Sequence, residues 1–169
     1  MTEHNLETNI REYLIGEAQQ NALDFVSFLS ENDVVFERCS GYWENKLYFS
    51  ITYNNENVCY VLFYSPASAD DSTEPWVVWS DDSDSRWLGD SSAVDEYTKQ
   101  IIWSHLIICD KSQKCFDGCL KGTKTIFGRE FNNVCGTVMK FNNPTSVDVE
   151  CMKRMVELRI RDIQHYDKT

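Results

Sequence analysis

KLYFSITYNNENVCYVLF, residues 46–63, reads as two strands joined by a tight turn. Leu47, Phe49, Ile51 and Tyr53 alternate with Tyr48, Ser50 and Thr52, and a period of two marks a strand with one buried face. Asn54-Asn55-Glu56-Asn57 is turn chemistry, because Asn tolerates left-handed backbone and hydrogen-bonds its own neighbours. Val58 to Tyr64 is almost wholly β-branched or aromatic, as expected of a more central strand. A connection this short can only join antiparallel strands.

Outward from this hairpin, Val34 to Cys39 predicts a strand before it and Trp76 to Trp79 a strand after it. Residues 66–74 and the acidic, Ser-rich Asp81 to Asp90 predict loops. Upstream, Leu6, Ile10, Tyr13 and Leu14, then Ala18, Ala22, Phe25, Val26 and Leu29, repeat at helical spacing over residues 6–31, with Gly16 as a candidate break. Downstream, Ser92 with Asp95 predicts a capping box for a helix from about Ala93 to Ile108. Residues 110–133 show no clean period. Val134 to Phe141 predicts a strand, and Thr145 with Asp148 a second capping box for a closing helix lined by Met152, Met155, Val156, Ile160 and Ile163. The order predicts an α+β domain spanning 1–169, an antiparallel sheet of about four to six strands with N-terminal, central and C-terminal helices packed mainly on one face.

The 27 acids outweigh 16 bases, for a net charge of -11. Nucleic-acid binding needs cations that displace counterions from phosphates, so neither nucleic acid nor an anionic membrane surface is an expected partner. No apolar run approaches the roughly 20 residues of a membrane-spanning helix. The first residues lack a basic, then apolar, export signal, and the cysteine count of seven is odd, which predicts a cytoplasmic location and free thiols.

Two features carry candidate chemistry. The first is KSQKCFDGCLKGTKTIFGREFNNVC, residues 111–135. Its Gly118 and Gly122 do not match the phosphate-loop spacing, so no nucleotide is expected. Cys109, Cys115, Cys119 and Cys135, with His105 as an alternative ligand, are a candidate set for structural zinc, which takes four thiolate or imidazole ligands. His105 and Cys109 stand four residues apart and would share one helix face. Against zinc, the chain has no Cys-x-x-Cys knuckle, and Cys109 and Cys135 can equally be small core residues. Cys39, Cys59 and Cys151 read as core. A thiol-dependent enzyme using Cys115 or Cys119 is a further alternative, although it lacks an evident His and acid partner.

The second feature is aromatic. Trp76 and Trp79 are three apart, so on a strand they face opposite sides. One belongs to the core and the other to a surface or cleft. Trp43, Tyr60, Tyr64, Trp79 and Trp87 are the candidate walls of a ligand pocket between sheet and helix. Asp81, Asp82 and Asp84 lack the glycine and terminal Glu of a calcium loop, so a solvated loop is expected there. The leading expectation is a non-enzymatic binding module for an apolar or aromatic small molecule or a protein partner. The alternative is a structural-zinc interaction protein organised by the Cys109–Cys135 loop. Asp-rich loops and an exposed Trp suit a homodimer surface as readily as a cleft.

TIFGREFNNVCGTVMKFNNPTSVDVECMKRMVELR, residues 125–159, resembles the C-terminal part of small proteins common in anaerobic gut bacteria. Together with the hairpin quoted above, the layout is similar to YdhG-like and related small α+β proteins of unknown function. The resemblance implies a bacterial, cytosolic α+β domain and no particular activity. The strand-rich middle is also similar to small-molecule-binding modules attached to transcription regulators.

Overall fold

The computed structural model describes residues 3–39, 47–65, 74–81, 86–110 and 119–166. Two helices open the chain, α1 (Glu3–Tyr13) and α2 (Gly16–Ser30). The break falls at Gly16, whose φ of 60° ends one helix and re-aims the next. The Gln19 side chain donates to the carbonyls of Leu14 (2.6 Å) and Arg11 (3.1 Å), which α1 leaves unpaired at its end.

Strands β1 (Val35–Arg38), β2 (Leu47–Tyr53), β3 (Glu56–Phe63) and β4 (Trp76–Ser80) follow. The turn between β2 and β3 holds Asn54 and Asn55 at φ 49° and 65°. That mirror-image geometry matches the right-handed twist of the strands it joins. Then come α3 (Glu96–Ser104), β5 (Leu106–Ile108), β6 (Gly122–Ile126), β7 (Arg129–Asn142) and α4 (Ser146–Tyr166).

Among the described residues, seven strands form one antiparallel sheet in the order β1-β2-β3-β4-β7-β5, with β6 also pairing β7. The α+β class is as expected, but the sheet exceeds the four to six strands predicted. One addition lies at the end of a predicted helix and the other in the stretch that lacks a period. The predicted helix through Ile108 stops at Ser104, and Leu106–Ile108 is instead an edge strand. Its cap also differs: Asp95 itself accepts from the Thr98 N–H, while Ser92 donates to Asp90. The stretch read as aperiodic contains β6, hairpinned to β7 through Phe127 and Gly128, both at positive φ. The Thr145/Asp148 capping box is present, with Asp148 accepting from the Thr145 N–H at 2.9 Å and Thr145 Oγ1 from the Asp148 N–H at 3.3 Å.

Cross-strand pairs share a face, so the register sorts the sheet. Phe49–Val61–Val78–Phe141 run across one face and Ser50–Tyr60–Trp79–Lys140 across the other. The first face carries the core. Phe25 of α2 and Met152, Met155 and Val156 of α4 meet Val78 and Phe141 around a cavity of about 20 Å³, room for one water at most. Trp76, fully buried, stacks on Phe63 at 6.0 Å on this face, and Trp79 lies on the other. A buried ion network ties α4 to the β2–β3 hairpin. Arg159 donates to the Asn57 carbonyl and to Asp162, which also accepts from Arg86.

Candidate aromatic site on the second sheet face

The second face carries three half-buried rings on three adjacent strands. Tyr48 on β2 stacks with Tyr60 on β3, centroids 6.0 Å apart at 28°. Tyr48 also meets Trp79 of β4 edge-on, at 6.3 Å and 82°. Offset-stacked and edge-to-face pairs are the arrangements that the ring quadrupole favours. The Lys140 ammonium of β7 lies 5.3 Å from the Trp79 ring centre, over the ring. The Tyr60 hydroxyl donates to Asp81 Oδ2 at 2.9 Å. Leu62 and Val77, on the same face, are 0% and 3% exposed yet stand apart from the main core.

A distortion in β7 sets where Lys140 points. The stretch from Met139 back to Val134 faces only Leu106 to Ile108 of β5, so β7 carries extra residues. Within it Val138 has φ 71°, a left-handed conformation that a β-branched residue adopts only under constraint. Ser80 supplies that constraint. Its hydroxyl donates to the Thr137 carbonyl and accepts from the Met139 N–H at 3.1 Å, spanning the distortion from both sides. Bulges bend a strand and re-aim the side chains beside them. Regular pairing then resumes at Lys140, opposite Trp79.

The two phenols and the neighbouring Cys39 thiol are held protonated. Burial pushes the Tyr48 phenol up to about 12, helped by the charges of Cys39 and Asp81. Tyr60 is pushed up too, by burial and then by Asp81 as charge and as hydrogen-bond partner. Burial likewise raises Cys39, with the Ser50 backbone acting against it. At neutral pH the cluster therefore offers ring faces and hydrogen bonds, and no thiolate or phenolate.

Of the predicted pocket walls, Tyr60 and Trp79 come together as a directly opposed pair. Tyr64 is one residue past β3, about 13 Å along the strand from Tyr60. Trp87 is elsewhere, packed on Phe127 at 5.4 Å against the main core, and Trp43 lies outside the described residues. The site thus faces away from the helices instead of lying between sheet and helix. Tyr48 and Lys140 were missed. Alternation already put Tyr48 out of phase with Leu47 and Phe49, but only the register shows that it meets Tyr60. Cys39, read as core, is half-buried at the end of β1.

The cysteine segment divides differently. His105 is the C-cap of α3, so it and Cys109 do not share a helix face. Its Nε2 lies 3.0 Å from Asp148 Oδ1 and its ring 4.2 Å from Phe141. The Cys109 N–H donates to the Asn133 carbonyl, Cys119 is buried, and Cys135 Sγ is 3.5 Å from Thr137 Oγ1. Among the described residues no three His, Cys, Asp or Glu side chains converge as metal ligands. Cys115, Asp82 and Asp84 lie outside those residues.

A groove of about 460 Å³ opens between α2, α3 and α4, lined by Tyr97, Ile101, Val147 and Cys151. Its acids, Asp24 and Glu150, are both taken by Lys153 at 2.8 Å. Burial, with Asp148 and Asp95, pushes the Cys151 thiol up to about 12. The thiol is thus no nucleophile at neutral pH. No helix among the described residues is long and apolar enough to cross a membrane. Comparison with family models, with curated proteins and with solved structures gives no match to this chain.

Proposed function

We propose that the protein is a binding module whose second sheet face takes a flat aromatic small molecule on Tyr48, Tyr60 and Trp79. The observation that carries this reading is the cluster itself: three half-buried rings on interior strands, with Tyr48 6.0 Å from Tyr60 and 6.3 Å from Trp79. Each ring keeps exposed area that a planar ligand would cover, and each large aromatic gains by losing that area to water. The protonated phenols add directional hydrogen bonds without reactivity. The patch is compact, whereas a stable protein interface needs about 800 Å² from each partner, so a small ligand is the better fit.

Titration with N-phenylnaphthylamine, a neutral fluorescent aromatic, tests this. Saturable one-to-one binding is expected, with tryptophan quenching and a raised melting temperature, since a ligand of the native state stabilises it. Trp79→Leu should abolish the saturable component while keeping the melting temperature of the free protein within a few degrees. Absent saturation, or equal binding by Trp79→Leu, would remove the cluster as the site.

A further inference from the structure

We propose that the ligand of this face carries an anionic group, recognised by Lys140. This rests on the aromatic-site reading and adds to it the charge of the ligand.

Lys140 is unusual for its place and its company. It sits on β7 opposite Trp79, in the interior of the sheet and not at a rim. Its stem is half-buried and its ammonium lies over the Trp79 ring at 5.3 Å. In a chain with 27 acids and 16 bases, a carboxylate is the easiest partner for a cation to find. The cations packed on the helical side have done so: Lys99 with Glu96, Lys153 with Asp24 and Glu150, Arg159 with Asp162. Among the described residues no carboxylate pairs with Lys140. The nearby Asp81 accepts from Tyr60 instead.

Holding a lysine in one geometry costs rotamer freedom, and a cation–π contact that remains partly wet returns little of it. What the placement does provide is a positive charge at the edge of a ring cluster, with hydrogen-bond capacity to spare. The Lys ammonium has three donors and no acceptor. An aromatic carboxylate, sulfonate or similar anion lying on the rings would set its charged edge there. The Ser80–Val138 distortion fits the same account, because it fixes the residue from which Lys140 projects.

The test pairs two probes with one ring skeleton. Anilinonaphthalene sulfonate carries the anion, and N-phenylnaphthylamine lacks it. The intact protein should bind the sulfonate about tenfold more tightly, a difference equal to about 1.4 kcal/mol. Lys140→Met, which keeps an unbranched stem, should bring the two affinities together by weakening the sulfonate alone. Lys140→Arg should retain the preference, and raised salt should narrow it. Equal affinities in the unaltered protein, or a preference that survives Lys140→Met, would overturn the anion assignment and leave the ring site standing. If neither probe binds in a Trp79-dependent way, the underlying site falls and this inference with it.

Discussion

Ser80 is a small residue with a large structural task. Its hydroxyl satisfies a carbonyl and an N–H on either side of Val138, and it is itself buried. Ser80→Ala leaves both backbone groups without that partner, and each buried group so orphaned costs about 1–3 kcal/mol. Ser80→Ala should therefore lower unfolding free energy by about 2–6 kcal/mol in urea titrations. It should also weaken probe binding more than a stability loss alone predicts, because Lys140 loses its fixed point of departure. A change below about 1 kcal/mol would mean that the β7 distortion holds itself. Sequence offers no warning of this role. A serine after Val-Val-Trp reads as the end of a strand, and its partner lies far along the chain.

The two hairpins make opposite demands on their turns. Asn54 and Asn55 both sit at positive φ with open surroundings, and Asn-Gly is the preferred pair for that geometry. Asn55→Gly should raise the melting temperature by about 1–3 °C, the shift expected for up to about 1 kcal/mol in a chain of this size. At the β6–β7 turn the glycine is already required. Gly128 has φ 86°, and an added Cβ would stand 3.0 Å from the Ser91 side chain. Gly128→Ala should lower the melting temperature by about 3–8 °C, combining left-handed strain with that clash. Calorimetry on the two variants gives shifts of opposite sign, and shifts of equal sign would contradict the turn geometry. The first hairpin was legible because alternation and Asn-Asn agree. The second was not. Gly122–Ile126 alternates weakly, and Phe127, the first residue of its turn, is a buried aromatic at positive φ. Phe-Gly carries no turn signal, and tertiary contacts hold it there: the Phe127 ring packs on Trp87 and its N–H donates to the Leu88 carbonyl. β5 was hidden for a related reason: Leu106-Ile-Ile108 continues a helical stripe, and pairing with β7 overrides the local preference.

For the molecule as a whole, the sequence supplied the layers and the opposite facing of Trp76 and Trp79, while the site needed the register. Tyr48, Tyr60, Trp79 and Lys140 come from four strands spread over more than half the chain, and no local pattern brings them together. The same burial that builds the two faces makes stability depend on alkaline pH. Cys151 is pushed from 9.0 to about 12 by burial and by nearby Asp148 and Asp95, and Tyr48 from 10.0 to about 12 by burial first. Tyr60 shifts the same way. A group whose folded pKa is raised contributes stability that is whole below its unfolded value and is lost as pH rises toward the folded one. The unfolded chain releases these protons first, so unfolding is favoured progressively between about pH 9 and 12. The urea midpoint should hold steady up to about pH 9 and then fall. Cys39 also starts from 9.0 and is raised by burial, so Cys151→Ala, once offset for lost packing, should keep the onset near pH 9 but fall less steeply up to about pH 10. Tyr60→Phe should leave the onset in place and reduce the slope above it. Parallel curves for all three proteins would show that these groups ionise as freely in the folded chain as in the unfolded one, and the buried placement of Cys151 in α4 would be wrong.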